Sequence, residues 1–358
     1  MKWLWCTLAA ITVATLALLA GIWGYGWSNR AGPHAYATVT EEQRRKAGDY
    51  LLASLPFMPD GWEWSFFEPE DGVRLRVGRI ERPDAKGTVL VVPGYTAPID
   101  LYSEAVRAFV DAGYAVAGIE YRGQGLSHRD LDNPEMGHVA SWQRLGADLA
   151  AFVEEIKRTG GGRVFVYANS MGAHVALRAA GDAAPHVAAY AMVAPMVRID
   201  TGAFPYAVAR NLTRFYAATG QDGEFTIGRG PFDPAAVAWD EGTTCNPNPQ
   251  TAWRRDALFM RDQRLRVTGA TNGWVARTTA STDLITAPGY AARITAPVIM
   301  FTAGKEAFVD TPAAAAMCEA LGSCERQHYP DASHCLMDES QTVRDDVLAR
   351  TIRFFDGH

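Results

Sequence analysis

Residues 164–177 constrain the fold more than any other stretch of this 358-residue chain. A β-branched and aromatic run, Val164 to Tyr167, stops at Ala168-Asn169-Ser170-Met171-Gly172, and an Ala-rich helix former follows at once. A strand, a tight turn and a helix packed this closely tolerate only small residues around the turn, because a larger side chain would clash. The pattern is that of an elbow lifting a serine hydroxyl out of a strained turn, with Ala168 where a first glycine is commoner. A lone small-x-Ser-x-Gly also matches ordinary turns. The reading of Ser170 as a nucleophile therefore rests on what surrounds it.

The surroundings alternate. Short apolar runs at 88–92, 114–119, 163–167, 188–193 and 297–301 are mostly separated by helical segments at 102–112, 142–157 and 171–180. Strands alternating with helices imply a parallel sheet covered on both faces, with chemistry at the carboxyl ends of the strands. Ahead of them, 62–66 and 73–77 alternate in polarity and read as half-exposed antiparallel strands. Between about 196 and 292 the rhythm fails, and a stretch this long reads as a mostly helical insertion over the sheet. The expected organisation is a segment 1–28, a connector 29–60 with a helix near 41–55, a core over 61–195, a lid insertion over 196–292, and the remaining core over 293–358.

From Trp3 to Asn29 there is no charged residue, a run of 27 positions. A secretory apolar region is ~7–15 residues, whereas a membrane-spanning helix needs about 20. Trp3 and Trp5 at one end, and Trp23, Tyr25 and Trp27 at the other, suit the lipid–water boundary. An uncleaved N-terminal transmembrane anchor is expected, with a long cleaved signal as the alternative. Lys2 favours the amino terminus inside, while Arg30 and Arg44-Arg45-Lys46 pull the other way. The favoured placement is the bacterial inner membrane with the catalytic part on the periplasmic side. Outside this run lie Cys245, Cys318, Cys324 and Cys335, an even set that permits disulfides in an oxidising compartment, where Cys318 with Cys324 would close a short loop. Four free thiols in a reduced cytosol are the alternative. Net charge is −6 with no long basic run, which gives no case for nucleic-acid binding. No Cys-x-x-Cys or His-Glu-x-x-His spacing argues for a metal.

Acyl transfer at a serine needs a base, an acid orienting that base, and donors aimed at the oxyanion. Glu306 and Asp310 follow the 297–301 strand, and His334 lies in a loop after the last strand, giving the chain order Ser, acid, His. Glu306 is the expected acid and Asp310 its alternative, although Asp310 before Thr311-Pro312 also suits a helix N-cap. The amides of Tyr95 and Met171 are the expected oxyanion hole. Of the other polar residues, His138 and Arg122 are expected to brace loops, and His174 sits on the helix after the elbow. Cys335 is expected to pack or pair rather than react.

Several motifs together make a resemblance. Arg122-Gly-Gln-Gly-Leu-Ser127, Gly137-His138-Val139 with Asp148, Asn169-Ser170-Met171-Gly172, residues 269–274 and Ser333-His334 with Glu339 resemble the bacterial lysophospholipase and monoacylglycerol lipase group of the α/β hydrolases. The likeness runs from about residue 62 to 355. Asn169 stands where that group usually has histidine, Pro93-Gly94 where it has His-Gly, and Ala97-Pro98 where it often has an acid. The resemblance implies an α/β-hydrolase fold and a cofactor-free serine hydrolase acting on an ester of a single-chain lipid. A monoacylglycerol lipase or a general carboxylesterase or thioesterase would use the same machinery. A catalytically silent membrane-tethered binding protein is the alternative of another kind.

Overall fold

The computed structural model describes residues 2–28, 30, 32–160 and 162–358, with side chains from residue 12 onward. Its centre is one sheet in the order β1-β2-β4-β3-β5-β6-β7-β8. The strands are β1 (Glu63–Phe67), β2 (Leu75–Ile80), β3 (Thr88–Val92), β4 (Ala115–Ile119), β5 (Val164–Asn169), β6 (Ala189–Val193), β7 (Val298–Lys305) and β8 (Cys324–Ser333). The pairs β1–β2 and β2–β4 are antiparallel, and the remaining pairs are parallel. The helices are α1 (Lys2–Ser28), α2 (Glu41–Ser54), α3 (Ser103–Asp111), α4 (Trp142–Gly160), α5 (Met171–Asp182), α6 (Tyr206–Tyr216), α7 (Arg254–Arg261), α8 (Asn272–Ile285), α9 (Thr311–Ala320) and α10 (Gln341–Asp356).

Strand side chains alternate between faces, and here both faces are apolar. Leu90, Val92 and Val166 point to the layer of α4, α5 and α9, where Leu145, Phe152, Val175 and Met317 are buried with them. Val89, Val91 and Tyr167 point the other way, to Val106 and Phe109 of α3 and Phe355 of α10. The two-sided burial explains why β3 to β6 read as continuous apolar runs.

The expected half-exposure of the first two strands is corrected. β1 is a largely exposed edge, whereas β2 is buried at all but one position. Arg76 makes this possible by pairing with Asp100 at 3.0 Å and with buried Glu120 at 3.1 Å. A buried guanidinium with two carboxylate partners satisfies its charge in place of water.

Between β6 and β7 the chain forms an insertion with three helices, α6, α7 and α8. It is less helical than expected, since glycines and prolines such as Gly228, Gly230, Pro231, Pro247 and Pro249 break the segment before α7 into turns. Helix α2, opened by a Thr40–Gln43 capping box, packs against α7 through a small core of Ala47, Phe259 and Met260. The connector is thus a structural layer of the insertion. The expected anchor, residues 1–28, lies in part outside the described residues. Among those described, no helix is long and apolar enough to cross a membrane. The far end of α1 rests on the insertion, where the Tyr216 hydroxyl donates to the Ile22 carbonyl at 3.1 Å.

Candidate active site

Ser170 occupies the turn between β5 and α5 with φ 48° and ψ −113°. For a non-glycine residue this conformation costs roughly 1–3 kcal/mol and persists only when its surroundings dictate it. Here the Ser170 amide donates to the Val193 carbonyl at 2.8 Å, and the Met196 amide donates back to the Ser170 carbonyl at 3.1 Å. Gly172 is needed because a Cβ there would lie 2.4 Å from the carbonyl oxygens of both Val92 and Pro93. The start of α5 is thereby pressed onto the end of β3, and the Ser170 side chain emerges at the strand's carboxyl end.

His334 follows the end of β8. The Ser170 hydroxyl donates to its Nε2 at 2.9 Å, and its Nδ1–H donates to Glu306 Oε2 at 2.7 Å. Glu306 stands just past β7. Its other oxygen accepts the amides of Ala307 and Phe308 at 2.9 Å and of Val309 at 3.3 Å. Burial pushes this carboxyl up, but the His334 hydrogen bond, the histidine's charge and the Phe308 and Val309 amides outweigh it. The group is held below its ordinary range as a ready counter-charge. The Phe308 ring lies 5.2 Å from the His334 ring and is 39% exposed, an apolar wall at the mouth of the site. Asp310 takes no part in this chain. It is the N-cap of α9, accepting the Ala313 amide at 2.9 Å.

Residues 93–96 form the neighbouring turn. The Gly94 amide is taken by the Tyr102 hydroxyl at 2.9 Å, and the Thr96 amide by Gln124 Oε1 at 2.7 Å. The Tyr121 hydroxyl donates to the Pro93 carbonyl at 3.1 Å. Gln124 and Tyr121 belong to the Arg122 loop, so one task of that loop is to fix this turn. Arg122 itself faces away, binding Asp148 and Asp71 through four hydrogen bonds of 2.5–2.9 Å. His138 braces its loop against the insertion through Thr271 Oγ1 at 2.8 Å. His174 is fully buried between the Met196 carbonyl and the Ser281 hydroxyl, both at 2.8 Å, and burial lowers its pKa to about 4. Among the described residues, no cluster of His, Cys, Asp and Glu is arranged to hold a metal.

Sequence reasoning missed how the histidine loop is held. Cys335, next to His334, is disulfide-bonded to Cys245 of the insertion, 90 residues away. The Cys335 amide donates to the Cys245 carbonyl at 3.0 Å. The Asp338 carbonyl accepts Asn246 Nδ2 at 3.0 Å and Thr251 Oγ1 at 2.6 Å. The Asp338 carboxylate meets Arg254 Nη1 at 3.2 Å. Arg254 also pairs with Glu104 at 3.0 Å and donates to the Ser54 carbonyl. Within the loop, Glu339 accepts the Ser333 amide at 2.6 Å. The second disulfide, Cys318–Cys324, closes a short loop between α9 and β8.

Comparison with known proteins agrees with this architecture. The family model described as serine aminopeptidase, S33, matches residues 83–341. Lysophospholipase L2 of Escherichia coli K12 is 27% identical over 303 residues, covering 82% of this chain and 87% of its own. The probable lysophospholipase L2 of Haemophilus influenzae is 21% identical over 315 residues, covering 86% and 96%. A carboxyl esterase from Bacillus coagulans superposes with a TM-score of 0.66 at 14% identity, covering 84% of this chain and 99% of its own. A soluble variant of monoglyceride lipase from Saccharomyces cerevisiae superposes with a TM-score of 0.63 at 16% identity, covering 83% and 96%. With the family match spanning most of the eight-stranded core, this chain belongs to the serine aminopeptidase S33 family of α/β hydrolases.

Proposed function

We propose that this protein is a serine hydrolase that cleaves carboxylic esters of single-chain lipids, in the manner of a lysophospholipase. The observation that carries the reading is the unbroken chain from the Ser170 hydroxyl through His334 to Glu306. Ser170 Oγ attacks the ester carbonyl while His334 Nε2 takes its proton. The Tyr95 and Met171 amides stabilise the oxyanion of the tetrahedral intermediate. His334 then returns the proton to the leaving alcohol, and Glu306 holds the imidazole in the tautomer that keeps Nε2 free to accept. Water resolves the acyl-enzyme by the same route in reverse, and the residues need no cofactor. The relatives named lysophospholipase and monoglyceride lipase support a single-chain lipid as substrate.

The same reading places α1 in the membrane. Its 27 residues rise about 40 Å at 1.5 Å each, and the uncharged run from Trp3 to Asn29 with its aromatic ends motivates the proposal. Val13, Leu16 and Leu18 are more than half exposed on it. The two disulfides support a catalytic part on the oxidising, periplasmic side. An anchored enzyme meets a bilayer-partitioned substrate without extracting it from water.

The test is fluorophosphonate labelling of wild type and Ser170→Ala, followed by assays on lysophospholipids, monoacylglycerols and short-chain esters. Labelling confined to Ser170, with turnover of lysophospholipids, supports the proposal. Turnover of short esters alone makes the protein a general carboxylesterase. An unlabelled Ser170 in folded protein makes it a binding protein. For the anchor, full-length protein should resist alkaline carbonate extraction, and deletion of residues 1–28 should release it.

A further inference from the structure

The insertion is tied directly to the loop that carries the histidine. Its segment 243–254 reaches across to the loop carrying His334 and holds it by one covalent bond, three hydrogen bonds and an ion pair. The sheet side of the loop offers a different kind of hold. β8 pairs with β7 as far as Ser333, so the sheet ends just before His334, and beyond it Leu336 is buried in the core, where a leucine fixes depth and not the rotation of the backbone next to it. Rotation is what decides whether the His334 ring stays within reach of both Ser170 Oγ and Glu306 Oε2. Directional contacts set it, and nearly all those made to residues 335–338 from elsewhere in the chain come from the insertion.

We infer that the Cys245–Cys335 disulfide is a positioning element for His334, so that turnover depends on this bond being oxidised. The inference rests on the triad reading above. Both cysteines are half-buried, so a small reductant can reach them. The exchange is balanced. One thiolate of a dithiol attacks a cystine sulfur and the other cysteine leaves as a thiolate. The second thiol of the reductant then closes its own ring, and two electrons pass from the dithiol, which becomes a cyclic disulfide, to Cys245 and Cys335, which end as thiols. Freed from Cys245, residue 335 retains the hydrogen bond from its amide to the Cys245 carbonyl, but the covalent limit on their separation is gone. Misplacing a catalytic group by about 1 Å can cost about 100-fold in rate. The Cys318–Cys324 bond closes its loop away from this contact and supplies an internal control.

The experiment treats the full-length oxidised protein in detergent with dithiothreitol. It follows the rate of Ser170 labelling by a fluorophosphonate, kcat and KM on a soluble short-chain ester, and far-ultraviolet circular dichroism. Reduction should lower kcat and the labelling rate by about 10–100-fold, with KM changing less than about twofold and the dichroism unchanged. The Cys318→Ser, Cys324→Ser variant should show the same loss on reduction. The Cys245→Ser, Cys335→Ser variant should be slow from the start and lose nothing more. Retention of most of the labelling rate after reduction of Cys245–Cys335 overturns the inference. So does a loss that follows the dichroism, since the bond would then serve general stability. If Ser170 in oxidised wild type is never labelled, the triad itself fails and the positioning role falls with it.

Discussion

Ser170 and His334 face each other at 2.9 Å, yet the chain holds them by different means. Ser170 is fixed by the sheet: its amide is tied to β6, its strained φ is imposed by β5 and α5, and Gly172 lets the helix press onto β3. His334 stands just past the end of the sheet, where β8 leaves its pairing with β7 at Ser333, and the loop that follows it is held from outside by residues of the insertion that lie 84 to 92 positions before their partners Cys335 and Asp338. The first arrangement cannot be lost without losing the fold. The second can be undone locally. An enzyme with one partner in rigid packing and the other on an external brace can be silenced while it stays folded.

The comparison can be tested by breaking each side. The largest effect belongs to the chemical groups themselves. Ser170→Ala and His334→Ala should each lower ester turnover by ~10⁴-fold or more in folded protein, and the double variant should fall little further. Retention of a tenth of the activity by either single variant would falsify the triad. Glu306→Gln comes next, with an expected loss of ~10³–10⁴ in kcat, because the imidazole loses its tautomer control and counter-charge. A pH-rate profile of the wild type tests the same carboxylate. Since Glu306 sits below its ordinary range, its contribution is complete above pH 4.5 and is lost only as pH falls through its lowered folded value.

Smaller effects fall on stability. His174 titrates at about 4 in the fold against 6.5 in the unfolded chain, so unfolded protein binds the proton first. Stability should therefore drop as pH falls from 6.5 to 4, by up to about 3 kcal/mol from this residue. Denaturant melts of wild type and His174→Gln across that window should differ in slope; parallel curves would contradict the assignment. Gly172→Ala should cost about 1–3 kcal/mol by overpacking the β3–α5 contact, lowering Tm and activity together. Asp310→Ala should cost about 1 kcal/mol, as for a lost N-cap, with kcat preserved in the protein that remains folded. An inactive but stable Asp310→Asn, together with an active Glu306→Gln, would reverse the two acids.

The contrast between the two sides also explains what could be read from sequence. The elbow was legible because strand, small-residue turn and helix are contiguous, and each has its own local signature. Glu306 and His334 were legible as candidates because each stands just past a strand, where the topology delivers it. The hold on His334 was not legible. Asn246, Thr251 and Arg254 lie in an aperiodic stretch, and nothing local says that their partners are near residue 338. The close spacing of Cys318 and Cys324 made their pairing legible, whereas the Cys245–Cys335 pair, 90 residues apart, depends on chain proximity that no spacing shows. Burial of β2 was misread because Arg74 and Arg76 look like solvent-facing positions of an alternating strand. Only the tertiary pairing of Arg76 with Glu120 and Asp100 admits it to the interior.

One contact at the base of the insertion bears on how the molecule breathes. Residues 268–271 are sewn to the core loop 135–138 by amide–carbonyl bonds from Gly137 to Gly269, Thr268 to Glu135 and Thr271 to Gly137, at 2.8–2.9 Å. This seam joins the start of α8 to the same cooperative unit as the sheet. Opening that begins elsewhere in the insertion should stop when it reaches that unit. Hydrogen exchange at the Gly137, Thr268 and Thr271 amides should therefore be as slow as in β3 and β5. The exposed side of α6, where Val208 is 47% exposed, should exchange orders of magnitude faster. The molecule would then unzip from the exposed side of its insertion and not from a hinge at the insertion's root.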